Sequence, residues 1–413
     1  MEIQVPYGRE HISVEVDEKN VSQIVHPNPV EIGDEKTIVQ HALSHPVNSE
    51  IFDQFIANAE NLLFIVNDAT RPTPTAKIIN IIYDKIKNKN IKFIVATGIH
   101  RAPTDEEYKQ IFGAYYEIFK DRIYAHDSKN EGLLFNLGKS KFGTEIKINK
   151  MVSAAHKIVI ITSVEPHYFA GYTGGRKSIM PGIAGYTTIE QNHKYALSPG
   201  AQALALEGNP VHEDMEDIVA RLNKEIFSVQ IVLDRNQNTY AVTAGNLKSS
   251  FNAAVKKANE VFAVKVKEKA DIVVSVAPYP MDIDLYQSQK ALDNGKLALK
   301  DNGILILVSK CRSGAGDENF IRLMSSAGSP NGVMNKISKG YKLGWHKAAK
   351  MAEINLWADV WAVTDLPDEV LRSIFIRPFH NLQQAIDKGI KEKGDNAKIL
   401  FLMEGSVTVP RIL

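Results

Sequence analysis

The apolar positions along this chain follow two periods. Residues 2 to 16 alternate apolar with polar and predict a hairpin around Tyr7-Gly8. The next clear unit is the apolar run Leu62 to Val66, and from there strand and helix alternate. Thr75 to Lys87 carries isoleucines at 78, 79, 82 and 86, one face of a period of roughly 3.6 residues, and IKFIVATG follows as a second strand. That is a βαβ unit, which calls for a parallel sheet. Thr104 to Glu107 spells a capping box, and HKIVIITS at 156–163 reads as another buried strand.

A second β-α-β series follows a lysine-rich helical stretch at 245–270: DIVVSVAP, a helix through Gln287 to Leu299, then GILILVSK. NLQQAIDKGIKEKG reads as a helix and AKILFLME as a last strand, whereas residues 324–366, with Gly, Ser and Trp345, Trp357 and Trp361, resist assignment and read as irregular or helical. The expected fold is α/β: two domains, 1–268 and 269–413, with mainly parallel sheets and an active site in the cleft between domains, at strand carboxyl ends.

Composition narrows the function classes. The 413 residues carry a formal charge of +1, so no bulk field points to nucleic acid or an anionic membrane. A single cysteine, Cys311, excludes an intrachain disulfide and suits a reducing compartment; together with the lack of a signal-like start or a long apolar run it gives a cytoplasmic expectation. Cys311 itself reads as a core thiol.

Candidate chemistry clusters by position. Asp68, His100 and His167 each stand just beyond a predicted strand, where open parallel sheets bind ligands. GYTGGRKS, Gly171 to Ser178, nearly spells a phosphate loop, but Arg176 occupies a position that needs glycine. Its glycines offer close backbone approach to a ligand, and Lys177 offers a nucleophile or point charge. His167, Arg176, Lys177 and His193 crowd this stretch among Gly and Pro. His212 lacks a second histidine four residues on, where Glu216 stands, so a zincin helix is excluded.

DATRP at 68–72, GIHR at 98–101, PHYFAGYTGGRKSIMPG at 166–182, QNH at 191–193 and YQSQK at 286–290 resemble, in order and spacing, the nickel-pincer lactate racemase family. The resemblance implies racemisation or epimerisation of a small 2-hydroxy acid by reversible hydride transfer. The cofactor it implies is a nickel-pincer nucleotide, a nickel pyridinium-3,5-bisthiocarboxylate mononucleotide, joined covalently to Lys177. It carries the nickel ligand onto His193, the acid/base pair onto His100 and His167, and cofactor contacts onto Asp68, Ala69, Thr70, Arg71 and Pro181. Arg71, Gln287 and Lys290 become substrate-holding positions and Trp345 a pocket wall. Enzymes that make the cofactor are implied as transient partners. Two other readings stay open on the residues alone: a pyridoxal-phosphate amino-acid racemase with Lys177 as Schiff base, and a non-catalytic sugar-acid or phosphate-binding protein.

Overall fold

A computed structural model describes residues 1–413 and divides them into two compact units, Pro29–Val261 and Met1–Asn28 with Phe262–Leu413. In Pro29–Val261 a six-stranded sheet runs in the order Thr239–Asn246, Glu225–Leu233, Lys157–Ser163, Leu62–Asn67, Ile91–Ala96, Ile123–Ala125. All neighbours are parallel except the antiparallel edge pair Glu225–Leu233 and Thr239–Asn246. The helix Thr75–Ile86 turns Ile78, Ile79, Ile82 and Ile86 into the core against Phe64 and Phe93, each of the six 0% exposed, as the isoleucine stripe predicts. The capping box forms at Thr104 and Glu107 and opens the helix Asp105–Phe112.

The other unit holds an all-parallel sheet in the order Arg377–Phe379, Asp359–Val363, Leu299–Val308, Ala270–Val276, Ile399–Leu402, Val21–Val25. The expected division at 268/269 therefore shifts to 261/262, and residues 1–28 join the C-terminal part. Val21–Val25 adds to this sheet beside Ile399–Leu402. The hairpin Glu2–Tyr7 with Glu10–Glu15 places Ile3, Val5 and Val14 in the same core as Ile272 and Ile304. An amphipathic hairpin must cover its apolar face, and the partner it finds lies far along the chain.

Three other expectations change. The lysine-rich helix ends at Phe262, and Ala263–Val266 pairs as a strand with Val409–Ile412. The helix through Gln287 is Leu285–Gly295, and Leu299 already begins a strand. The stretch 324–366 contains the helices Pro330–Lys339 and Trp345–Ile354 and the strand Asp359–Val363. Ser329 and Pro330 start the first of these helices and Gly340 ends it, so no element is long enough to impose a period. No helix is long and apolar enough to cross a membrane.

Candidate functional site

Within Pro29–Val261 the chain enters its sheet at Leu62–Asn67, builds outward through Ile91–Ala96 and Ile123–Ala125, then returns to Lys157–Ser163 on the opposite flank. Connections leaving Leu62–Asn67 and Lys157–Ser163 therefore diverge, and their carboxyl ends open a crevice. Asn67 and Ser163, the last residues of those strands, line a cavity there with Asp68, Thr70, Arg71, His100, Lys177 and Pro181. Thr73 ties the two strand ends: its hydroxyl donates to Asn67 Oδ1 at 2.8 Å and can accept from the Ser163 hydroxyl at 2.9 Å.

Asp68 is buried, and its two oxygens are divided between two tasks. Oδ1 accepts from Thr70 Oγ1 at 2.6 Å, closing the turn, and Oδ2 meets His100 Nδ1 at 2.7 Å. Burial alone would raise the Asp68 carboxyl; the hydrogen bond and charge of His100, with Thr70 and Arg71, outweigh it and hold the carboxyl below its ordinary value. An ionised Asp68 accepts at His100 Nδ1, so the neutral ring keeps its proton there and presents a lone pair at Nε2. Arg71, on the same loop, reaches Glu165 through Nη1 at 3.3 Å.

Lys177 lies on the 3-10 turn Gly175–Ser178, with Nζ 3.3 Å from His167 Nε2 and 5.5 Å from the centroid of the Phe169 ring. His167, in a short antiparallel bridge to Gly171, takes the Ala170 amide at Nδ1, 3.3 Å away. Nζ and Nε2 lie within hydrogen-bond reach of each other, and which of them donates depends on the ring tautomer. His193, on the helix Tyr186–Lys194, meets Phe169 edge-on at 5.1 Å between ring centroids. Burial first, then the charge of a protonated Lys177, pushes its pKa down to about 3 against a hydrogen bond with the Ile189 backbone. Neutral imidazole is the metal-ligating form.

Gly174 lines the cavity, and the glycines of the loop have a second task besides. A Cβ on Gly174, at φ +77, would lie 2.5 Å from Val164 Cγ2, and one on Gly171 would lie 2.2 Å from the Ala205 carbonyl oxygen. The space they leave is filled by protein, which seats the loop against the sheet. Arg176 is likewise not part of the cationic cluster. It turns inward at 1% exposure, donates to the Ala170 carbonyl at 2.6 Å and lies 4.4 Å over the Phe251 ring. Burial lowers its pKa to about 9, with Glu216 opposing. Cys311 is buried, and burial raises its thiol to about 11, in keeping with a core role. Sequence reasoning missed Thr73, Ser163, Glu165 and Phe169; only Ser163, ending a strand beside Asp68, carried a positional signal.

Ala69 packs against the hydrophobic core rather than lining the cavity. Gln287 and Lys290 lie on the helix Leu285–Gly295 and Trp345 begins Trp345–Ile354, all in the unit Met1–Asn28 with Phe262–Leu413. No group of three or more His, Cys, Asp or Glu side chains forms a metal cluster. Lys177 and His193 fit a metal that arrives within an organic group bearing its own donors, since that asks the protein for one anchoring amine and one neutral imidazole.

Residues 7–204 match the model of the lactate racemase N-terminal domain, and residues 264–409 that of the lactate racemase C-terminal domain. The chain is 30% identical over 424 residues to a lactate racemase of Thermoanaerobacterium thermosaccharolyticum, covering 99% of both. It is 28% identical over 422 residues to a lactate racemase of Lactiplantibacillus plantarum, covering 98% of both. The lactate racemase apoprotein structure from T. thermosaccharolyticum superposes with a TM-score of 0.93 over 100% of both chains. A Thermotoga maritima protein, 15% identical, shares the fold at a TM-score of 0.70, covering 93% of this chain and 100% of that one.

Proposed function

Because the chain belongs to the lactate racemase family, we propose that it interconverts the enantiomers of lactate or a closely related 2-hydroxy carboxylate, using a nickel-pincer nucleotide joined to Lys177. One observation carries the reading: a lysine amine, a carboxylate-oriented histidine and an arginine line one cavity at the switch point of a parallel sheet. When bound, the nucleotide would supply a reversible hydride acceptor for the substrate Cα–H.

The chain's own residues divide the remaining work. Lys177 would anchor the group as a thioamide, which takes its nitrogen out of the contact with His167 Nε2. His193 gives the metal its protein ligand. Arg71 has Nη1 engaged by Glu165 and presents the rest of its fork to a carboxylate, a role shared by Gln287 and Lys290. His100 Nε2 takes the hydroxyl proton of one enantiomer, and the charge of Asp68 stabilises the imidazolium that forms. His167 serves the other enantiomer, whose hydroxyl lies on the opposite side of the carbon. Separate enzymes must make the nucleotide and deliver it to Lys177.

The test is direct. Protein co-produced with the cofactor-synthesis enzymes should convert L-lactate to a racemic mixture, read by chiral chromatography, and Lys177→Ala should not. A holoenzyme with a full adduct on Lys177 that racemises no 2-hydroxy acid across a panel of chain lengths defeats the reading.

A further inference from the structure

Gln287 stands in the first turn of the helix Leu285–Gly295 and Lys290 at its middle, and Trp345 begins the helix Trp345–Ile354. The two helices are held together by a lysine that no motif singles out. Lys347 is 4% exposed, its Nζ lies 3.9 Å from the centroid of the Tyr286 ring, and the same nitrogen donates to the Tyr286 carbonyl. Gln289 Nε2 answers by donating to the Lys347 carbonyl at 2.8 Å. The two bonds cross between the helices in opposite directions, at residues 286 and 289, and so bracket Gln287 and adjoin Lys290.

A neutral amide could tie two backbones together at less cost, because an ammonium forfeits its hydration on burial. The use of a lysine therefore implies a role for its charge. Lys290, Asp293, Asp284 and Tyr286 face it from Leu285–Gly295 and its cap, Asp317 from the cap of Glu318–Ser325, and His346 and Lys350 stand beside it on its own helix. Burial, then the neighbouring Lys290, pushes Lys347 down to about 7 against the pull of Asp293, Asp284 and Asp317.

We propose that Lys347 is a positioning residue for substrate carboxylate binding: it fixes the helical turn that carries Gln287 and Lys290 and sets a second positive charge behind Lys290. The inference rests on the assignment of Gln287 and Lys290 to that carboxylate. By linkage, a carboxylate bound at Lys290 favours the protonated Lys347, and protonated Lys347 favours the carboxylate. Lys347 is charged below about pH 7 and neutral above it, so this part of the affinity fades as pH rises through that value.

Lactate KM and kcat for full-length holoenzyme should be followed from about pH 6 to about pH 8.5, a span that brackets an amine titrating near neutrality. Lys347→Met, nearly isosteric and uncharged, should raise KM about tenfold at the acid end and much less at the alkaline end, the size of one weakened charge-assisted contact. Gln289→Met removes only the answering hydrogen bond and should raise KM by the same factor at every pH. A Lys347→Met KM that runs parallel to wild type across the range reduces Lys347 to a structural tie and overturns the proposal. Should that variant fail to fold, the carbon-13 resonance of Lys347 in the wild-type holoenzyme decides: its titration midpoint should rise under saturating lactate, and an unmoved midpoint overturns the proposal. An unchanged KM in Lys290→Ala would instead remove the assignment on which the inference stands.

Discussion

Replacing Asp68 with asparagine isolates the electrostatic part of the pair with His100. The side chains have the same shape, and asparagine can still accept at Nδ1, so ring position should survive while the carboxylate charge is lost. A charge-assisted hydrogen bond is worth roughly 1.5–3 kcal/mol. The His100 side chain is 45% exposed against 9% for Asp68, so water screens the pair and the lower end applies. About 1.4–2 kcal/mol of lost transition-state stabilisation corresponds to a fall of about ten- to thirtyfold in kcat/KM. Because the equilibrium constant of a racemisation is unity, kcat/KM must fall by the same factor from D- and from L-lactate, which gives the measurement an internal check. Polarimetry from each enantiomer reads both. Nickel content should stay at the wild-type level, since the metal is assigned to His193. The pH sign follows from the depressed Asp68 pKa. Its stabilising contribution is present above the unfolded carboxylate value near ~3.9 and is lost as pH falls through the lower folded value, so the difference in melting temperature between wild type and Asp68→Asn should be constant near neutrality and close only in acid. A variant within about twofold of wild-type kcat/KM, folded and fully loaded, would refute the claim that Asp68 charge supports a proton on His100.

Lys177→Ala should carry no cofactor mass by intact-protein mass spectrometry; an adduct retained by the variant disproves the attachment point. His193→Ala should lose nickel by elemental analysis while His100→Ala and His167→Ala keep most of it, whereas equal loss in all three would indicate a shared histidine metal site. Arg176→Met should destabilise the protein by about 1–3 kcal/mol in urea, because it removes the charged donor to the Ala170 carbonyl, which keeps only the Tyr172 amide, and the cation over Phe251; a shift below about 0.5 kcal/mol, the level of an ordinary surface change, contradicts that account. Lactate deuterated at Cα should racemise with most of its label retained, since hydrogen moving as hydride does not exchange with water while imidazole protons do; rapid loss of label to solvent would mean direct deprotonation.

The parts legible in the sequence are those fixed by local pattern. The isoleucine stripe of Thr75–Ile86, the capping box at Thr104 and the strand ends before Asp68, His100 and His167 depend on neighbours a few residues away, and each is found where the pattern puts it. Whatever depends on distant partners was hidden. Glu225–Leu233 and Thr239–Asn246 extend the sheet that holds the site yet were assigned to no element, and nothing near residues 1–28 reveals that their partner strand is Ile399–Leu402. Lys347 was silent for the same reason: its neighbour Tyr286 lies 61 residues away.

The loop Gly171–Ser178 shows how far residue type alone can mislead. Arg176 and Lys177 are adjacent cations, and a reading by composition assigns both to a ligand. A 3-10 turn, however, rotates successive side chains by about a third of a revolution, so neighbours cannot face the same way. Arg176 is spent on the inside, gripping the Ala170 carbonyl and Phe251, while the glycines at 171 and 174 let Ala205 and Val164 close against the backbone. A loop pinned from behind in this way holds Lys177 Nζ within 3.3 Å of His167 Nε2. The inward arginine thus fixes the turn from which the lysine projects, and the proposed attachment at Lys177 would draw on an Arg176 that lies on the other side of the loop.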